Sequence, residues 1–305
     1  MTRKLVDCFT FYNELELLEL RCEELYGIVN RHYLVESPST FSGKDKPLYF
    51  QENASQFEKY PIIPLVVELP YQGQLRDDQP WRNDHSSRKL GFDRVAELLG
   101  NEDVVLISDV DEIPRPSKFK ELDLDQPAIF AQEWYLYWLN CKTAWQQYGT
   151  TRVPFSSAKT DFYAAAMYRW APKQNIIRDG GWHFSYFGGL GAIKEKISGV
   201  PDVSLRNTGE NIEEAMLAGK GLEQFQGPVG FCEVDNTYPE VITKNLSNYQ
   251  HLMHPDYRNT EEKRKFYESI EQRRQRRLLI PREIEPQRHK ARMGEDPVYQ
   301  KEYGS

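Results

Sequence analysis

The chain has 305 residues, a length that suits one large α/β domain with a C-terminal extension. Its 39 Lys and Arg against 46 Asp and Glu give a net charge of −7, which argues against a nucleic-acid-binding protein. An acidic protein that handles phosphate groups needs a metal ion or local cations.

The apolar segments and the cysteines indicate a protein that stays in the cytoplasm. Apolar runs such as 62–67 and 104–107 are far shorter than the roughly 20 residues of a membrane helix, so we expect no stable membrane anchor. The four cysteines stand singly, without a CxxC pair, which predicts structural thiols in a reducing compartment and no zinc site.

Strand and helix signals alternate over the first 110 residues. Asn13, followed three residues later by Glu16, has the spacing of a capping box and predicts the start of the first helix. The order strand, helix, strand, strand, helix, strand is typical of a doubly wound α/β sheet. The predicted strands span 5–11, 32–36, 62–69 and 104–109, and the predicted helices 13–25 and 86–99.

The pattern changes after Pro116. Long aromatic segments over 128–140 and 162–170 predict antiparallel or mixed strands beside the first sheet, and short helices are expected over 192–198 and 211–218. Residues 260–279 are charged throughout and predict one solvated helix. We therefore divide the chain into a catalytic domain over 1–255 and a charged helical extension with a flexible tail over 256–305.

Asp109 and Asp111 follow the apolar run 104–107 at the end of a predicted central strand. Ligands of open α/β sheets bind at the carboxyl ends of the strands, and two alternate carboxylates there can hold one divalent cation. The alternative is a solvated turn or a helix cap. Glu112 is expected to orient the same loop.

Other side chains at this predicted edge suit a nucleotide. Asn13 and Glu14 follow the first strand and Glu36 ends the second, while Arg82 and Arg88 flank the start of the second helix as candidate phosphate ligands. The alternatives are an ordinary N-cap, a loop carboxylate and two surface arginines.

A glycine-rich aromatic segment over 180–189 contains His183. Glycines let a backbone approach a ligand, aromatic rings stack on sugars, and a neutral imidazole can complete a metal site. A histidine packed in the core is the alternative.

Six separated motifs stand in a characteristic order: Phe11-Tyr12-Asn13-Glu14, Val35-Glu36-Ser37, Thr40-Phe41-Ser42-Gly43-Lys44, Lys46-Pro47-Leu48-Tyr49-Phe50, Ile107-Ser108-Asp109-Val110-Asp111-Glu112-Ile113-Pro114 and Gly181-Trp182-His183-Phe184-Ser185. Together they resemble glycosyltransferase family 17, whose best-known members add bisecting N-acetylglucosamine to glycoproteins. The resemblance extends from about residue 5 to about residue 254.

The resemblance implies a GT-A-type fold with a mostly parallel central sheet, a UDP-sugar donor and an inverting transfer to a glycan or polysaccharide hydroxyl. It implies a divalent metal, Mn²⁺ with Mg²⁺ as the alternative, on Asp109, Asp111 and His183. Asp111 is the expected direct ligand, and Asp109 reaches the ribose or a metal-bound water. The nucleotide side would comprise Asn13, Glu14 and Glu36.

The general base of the implied transfer is left open among three carboxylates. Glu133 ranks first because it lies on a predicted strand after the metal motif, with Glu210 and Asp179 behind it. The chain lacks the anchor of animal members, which favours a bacterial or viral enzyme acting on its own polysaccharide or on a host glycan. The competing interpretations are a catalytically silent glycan-binding protein and a metal-dependent phosphohydrolase.

Overall fold

The computed structural model describes residues 3–76, 78–121, 125–166, 175–201, 212–219 and 229–254. The strands are β1 (Leu5–Thr10), β2 (Arg31–Glu36), β3 (Ile62–Val66), β4 (Val104–Asp109), β5 (Glu112–Pro114), β6 (Ala128–Leu136), β7 (Cys141–Pro154), β8 (Ile176–Ser185) and β9 (Val229–Phe231). The α-helices are α1 (Leu15–Glu24), α2 (Tyr49–Asn53), α3 (Gln79–Ala96), α4 (Phe155–Thr160), α5 (Phe162–Ala166), α6 (Gly189–Gly199), α7 (Ile212–Ala218) and α8 (Glu240–Lys244). Short 3-10 helices cover Ala54–Phe57, Pro116–Glu121 and Leu246–Leu252.

All nine strands of the described residues form one mixed sheet in the order β3-β2-β1-β4-β7-β6-β8-β5, with β9 paired to β7. The strands β3, β2, β1 and β4 are mutually parallel, whereas β7 runs antiparallel to both β4 and β6. Beyond β7, β6 and β8 are parallel, and β5 is antiparallel to β8. The predicted α/β class is confirmed: the first half is doubly wound, and the second half is the mixed sheet that the aromatic segments suggested.

The strand β4 positions the candidate site. Its first four residues are buried apolar side chains, as expected of a central strand covered on both faces. Its register with β1 pairs Leu5 with Val104 and Thr10 with Asp109, so both strands end at the same edge. The turns that follow β1 and β4 therefore lie side by side.

Helices cover both faces of the sheet. On one face, Phe92 and Val95 of α3 pack with Phe155 and the small helices α4 and α5. On the other, Leu17 and Leu20 of α1 pack with aromatic residues of β6 and β8 and with α8. The four cysteines are buried, as expected of structural thiols.

Several predicted elements differ from those observed. Residues 162–166, predicted as part of a strand, form the helix α5, because the Ala-rich sequence Phe-Tyr-Ala-Ala-Ala favours a helix despite its aromatic rings. The helix α3 begins at Gln79, seven residues earlier than expected, with Pro80 in its first turn. Asn13 does not cap α1, because Glu14 is the N-cap residue and no side-chain cap bond forms. The helix predicted over 260–279, the extension 256–305 and Glu210 lie outside the described residues.

Candidate functional site

A pocket of about 400 Å³ opens at the carboxyl ends of β1 and β4, within the range of small-ligand sites. The helix α6 and the turn after β8 close its opposite side. The polar and charged side chains that line it are Thr10, Tyr12, Glu14, Ser37, Ser39, Thr40, Lys46, Asp84, Ser87, Arg88, Asp109, Asp111, Gln147, His183, Ser185, Tyr186 and Lys196.

Asp109 is fixed by three neighbours at the end of β4. Its Oδ1 atom accepts hydrogen bonds from Thr10 Oγ1 and Arg88 Nη2, both at 2.6 Å. Its backbone N–H donates to Glu112 Oε2 at 3.0 Å, so Glu112 orients this loop as the sequence predicted. Arg88 also pairs with Asp84 and thereby links α3 to the loop.

Asp111 and Glu14 share the ammonium group of Lys196 on α6. Lys196 Nζ lies 2.6 Å from Glu14 Oε1 and 3.0 Å from Asp111 Oδ2. Burial by itself would raise the pKa of Asp111, but Lys196 and His183 outweigh it and hold that pKa below its ordinary value. Burial would likewise lower the pKa of Lys196, but Asp111 and Glu14 raise it well above its usual range. Asp111 and Lys196 are therefore both charged at neutral pH.

His183 faces the same carboxylate from β8. Its Nε2 atom lies 3.5 Å from Asp111 Oδ1 and 2.8 Å from Ser185 Oγ, while the Phe184 N–H donates to the Asp111 carbonyl at 3.0 Å. The Trp134 ring stacks on the imidazole with a centroid distance of 5.9 Å. Burial would lower the pKa of His183, but Asp111 outweighs it and raises that pKa.

Gly181, in the glycine-rich segment, serves the sheet and not a ligand. Its φ of 134° lies in the region that favours glycine. It pairs with Pro114 of β5, and a side chain there would collide with the Ile113 carbonyl oxygen. The glycine lets β8 approach β5 and so brings His183 beside Asp111.

A sealed cluster lies beneath the loop that carries both aspartates. Arg21 of α1 donates from Nη1 to the carbonyls of Asp109 at 3.1 Å and Glu112 at 2.8 Å, and from Nη2 to Ser108 Oγ at 2.7 Å. It also makes a bidentate pair with Asp7 at 2.6 and 2.8 Å. Burial would raise the pKa of Asp7, but Arg21 outweighs it and lowers it to about 2.

Asn13 and Glu36 stand next to the pocket without lining it. Asn13 Nδ2 donates to Glu195 Oε2 of α6 at 3.1 Å. Glu36 Oε1 accepts from the Phe50 N–H at 3.2 Å and from Lys46 Nζ at 3.4 Å. Burial raises the pKa of Glu36, an effect that Lys46 partly offsets. Glu36 thus reaches the pocket only through Lys46.

The structure does not bring Arg82 or Glu133 to the other predicted residues. Arg82 is 45% exposed and pairs with Asp78 at 2.8 Å outside the pocket. Glu133 is buried at 2.9 Å from Lys142 and accepts from Gln146, whereas the neighbouring Trp134 lines the pocket. Because successive strand residues point to opposite faces, Glu133 turns away from the carboxylate pair.

The two remaining candidate bases are Asp179 and Glu210. Asp179 has a half-exposed carboxylate that pairs with Arg115 at 2.9 Å, away from the pocket. Glu210 lies outside the described residues and stays a prediction.

The ligand atoms of Asp111 and His183 suit a divalent cation that binds together with its substrate. Carboxylate oxygens and imidazole are ligands that Mn²⁺ accepts. Within the described ranges, no three His, Cys, Asp or Glu side chains are gathered as a complete metal cage. Cations of this kind are commonly held by one or two carboxylates together with substrate phosphates, and Asp111 would supply such a carboxylate here.

A second, larger cleft of about 1070 Å³ lies beside α1 and α8. Its walls are of mixed charge, with the carboxylates of Glu19, Glu23, Glu24 and Glu240 and the cations of Lys59, Arg115 and Lys244. It contains neither Asp109 nor Asp111, so we place the candidate site in the smaller pocket.

Comparison with known proteins places the chain in a glycosyltransferase family. A family model described as glycosyltransferase family 17 matches residues 1–200, and the chain therefore belongs to that family. The resemblance drawn from the sequence motifs is confirmed. No helix in the described part of the chain is long and apolar enough to cross a membrane.

The curated relatives that match are mammalian. The β-1,4-mannosyl-glycoprotein 4-β-N-acetylglucosaminyltransferases of Rattus norvegicus and Homo sapiens are each 28% identical over 162 residues. The match covers 50% of this chain and 29% of each relative, so the chain spans under a third of their length. Among solved structures, the apo-form glycosyltransferase GlyE of Streptococcus pneumoniae TIGR4 aligns with a TM-score of 0.33 and 12% identity over 59% of this chain and 46% of that chain.

Sequence reasoning missed two residues that organise the site. Lys196 lies in the sequence Ala-Ile-Lys-Glu-Lys, where it looks like one charge of a solvated helix face. Arg21 lies in the Glu-rich helix α1 and looks equally exposed, yet its side chain is fully buried. The sequence did contain a signal that Arg21 is buried. It lies three residues after Leu18 and four before Leu25, so it falls on the same side of the helix as these leucines.

Proposed function

We propose that the chain transfers N-acetylglucosamine from UDP-GlcNAc, with inversion, to a hydroxyl group of a glycan or polysaccharide, with the help of Mn²⁺. The single observation that carries the proposal is the pocket at the ends of β1 and β4, where Asp109, Asp111 and His183 line one wall. The names of the mammalian relatives support N-acetylglucosamine as the transferred sugar.

The charge balance of the pocket supports a cation-dependent donor. Two lysines, one arginine and four carboxylates line it: Lys46, Arg88 and Lys196, and Glu14, Asp84, Asp109 and Asp111. A donor diphosphate would add further negative charge beside these four carboxylates. A divalent cation held by Asp111 and His183 would supply the charge that stabilises the UDP leaving group.

Arg88 and Lys46 are suited to hold the donor. Arg88 is anchored by Asp84 and Asp109, so its guanidinium is already oriented before a phosphate arrives. Lys46 Nζ lies over the Tyr12 and Tyr49 rings at 5.4 and 5.2 Å, with Glu36 behind it. Preorganised cations of this kind stabilise developing charge without a cost of reorganisation.

Aromatic side chains are suited to hold sugar rings. Trp81, Trp134 and Tyr186 line the pocket. Trp134 is held by the stacked His183 ring and by its indole N–H, which donates to Ser185 Oγ at 3.0 Å. We place the transferred sugar or the acceptor against these rings, on the side of the pocket that α6 closes.

A thermal-shift panel tests this function on the intact chain. We expect UDP-GlcNAc with Mn²⁺ to raise the Tm more than UDP-GlcNAc, Mn²⁺ or UMP alone, and more than UDP-glucose, UDP-galactose or GDP-mannose with Mn²⁺. A ligand at a hundredfold excess over its Kd adds about 2.7 kcal/mol of stability, which is readily measured. A larger shift with another UDP-sugar would overturn the choice of sugar, and no shift with any nucleotide would contradict the proposal.

A further inference from the structure

Lys196 occupies the position where the proposed donor and cation must bind. Its Nζ atom bridges Glu14 Oε1 and Asp111 Oδ2, and its side chain is 19% exposed at the pocket wall. Asp111 Oδ2 is therefore engaged by an ammonium group before any ligand enters. The other oxygen of the same carboxylate faces His183.

A divalent cation and this ammonium group compete for Asp111. Both are positive, and at a few ångströms in a partly buried site their repulsion is strong. Binding of the cation between Asp111 and His183 thus requires the ammonium group to leave Asp111. Lysine can do so without movement of its helix, because its charge sits on a flexible four-carbon stem.

The helix α6 is itself firmly attached, so the side chain is the part that moves. Glu195 accepts hydrogen bonds from Asn13, which precedes α1, and from Tyr49 of α2. The carbonyls of Ser198 and Gly199 accept from the hydroxyl and N–H groups of Ser42 at 2.9 and 3.1 Å. These contacts fix the base of the Lys196 side chain beside the pocket.

A diphosphate offers the displaced ammonium group a new partner. Phosphate oxygens accept charge-assisted hydrogen bonds, and Lys196 already borders the pocket that would contain them. Its Nζ atom also lies 5.7 Å from the ring centroid of Tyr186, another residue that lines the pocket. The ammonium group of Lys196 thus has two alternative partners, Asp111 in the empty pocket and the phosphates in the loaded one.

We infer that Lys196 is a displaceable internal cation, which neutralises Asp111 when the pocket is empty and binds the donor diphosphate when the metal ion takes its place. The inference rests on the proposed function. The inference predicts that the metal ion and the nucleotide bind cooperatively. The metal ion frees the Lys196 ammonium group for the phosphates, and the phosphates stabilise the ammonium group that the metal ion displaces.

The test compares Lys196→Met with the wild type and with Lys194→Met, which removes an exposed lysine from the same helix. Mn²⁺ binding to the nucleotide-free protein is measured by electron paramagnetic resonance, and UDP binding at saturating Mn²⁺ by calorimetry. We expect Lys196→Met to bind Mn²⁺ about threefold or more tightly without nucleotide, and to bind UDP about tenfold more weakly, the loss of one charge-assisted contact. Lys194→Met should match the wild type in both.

A higher affinity for Mn²⁺ together with a lower affinity for UDP in Lys196→Met identifies Lys196 as a displaceable cation. Weaker Mn²⁺ binding by Lys196→Met would mean that the lysine supports the loop, and unchanged Mn²⁺ binding would reduce it to an ordinary phosphate ligand; either result overturns the inference. If Lys196→Met does not fold, Lys196→Gln gives the same comparison. Failure of wild-type protein to bind UDP with Mn²⁺ would instead overturn the proposed function.

Discussion

Two charge clusters lie on opposite sides of the loop that joins β4 to β5, and they differ in their access to solvent. Beneath the loop, Arg21 and Asp7 have side chains that are 0% exposed. Above it, Lys196 and Asp111 line an open pocket, with side chains 19% and 7% exposed. Both clusters pair a cation on a helix with an aspartate, Asp7 within β1 and Asp111 in the loop.

The difference shows how one loop can be both rigid and reactive. The guanidinium of Arg21 is planar and donates hydrogen bonds to the backbone carbonyls of Asp109 and Glu112, which holds the loop in one conformation. The ammonium of Lys196 pairs with the side-chain carboxylates of Glu14 and Asp111, and these contacts can be exchanged for contacts to a ligand. The sealed cluster positions the aspartates, and under our proposal the open cluster binds the metal ion and the donor.

The sealed cluster should dominate stability. We expect Arg21→Met to lower the free energy of unfolding by about 3–5 kcal/mol, because it leaves the Asp7 carboxylate buried without its main partner. Urea denaturation measures the change, and Arg31→Met on the exposed start of β2 serves as the control. A loss below about 1 kcal/mol would show that the cluster does not hold the loop.

The open cluster should dominate metal use. We expect His183→Ala to raise the Mn²⁺ concentration for half-maximal transfer at least about tenfold, since loss of even an outer-sphere partner commonly costs that much. A Mn²⁺ titration of initial rates measures it. His251→Ala removes an exposed histidine that pairs with Glu16 and should leave the titration unchanged. An unchanged titration for His183→Ala would make this residue a core histidine.

Two arginines of α3 test the boundary of the open cluster. Arg88 lines the pocket and Arg82 does not, although both pair with an aspartate four residues earlier. We expect Arg88→Ala to raise the KM for the donor about tenfold, the size of one charge-assisted contact, and Arg82→Ala to leave it unchanged. Equal KM values for the two variants would remove Arg88 from the donor site.

The sequence predicted the edge of the sheet better than it predicted the walls of the pocket. The parallel strands and the place of Asp109 and Asp111 followed from one apolar run and the rule that ligands bind at carboxyl ends of strands. The structure also brings Glu14, Arg88 and His183 to the same pocket. Glu14 and Arg88 were predicted because each lies next to the end of a predicted element, and His183 because it lies in the glycine-rich aromatic segment.

The failures have physical causes. Glu133 lies on β6, which is buried on both faces, so no alternation of polar and apolar residues indicates which way a side chain points. The long strand β7 was missed because Thr, Gln, Tyr and Gly149 interrupt its apolar residues. Lys196 reaches Asp111 from 85 residues away, and that contact depends on how α6 packs.

The most direct test of the whole account is the turnover of UDP-GlcNAc by Asp111→Ala at saturating Mn²⁺. We expect turnover to fall about a hundredfold or more, the scale of losing a central electrostatic group, while the urea midpoint stays near that of the wild type. Asp179→Asn, which alters a half-exposed carboxylate outside the pocket, should retain wild-type turnover. Retained turnover in a folded Asp111→Ala protein would contradict the assignment of this pocket as the catalytic site.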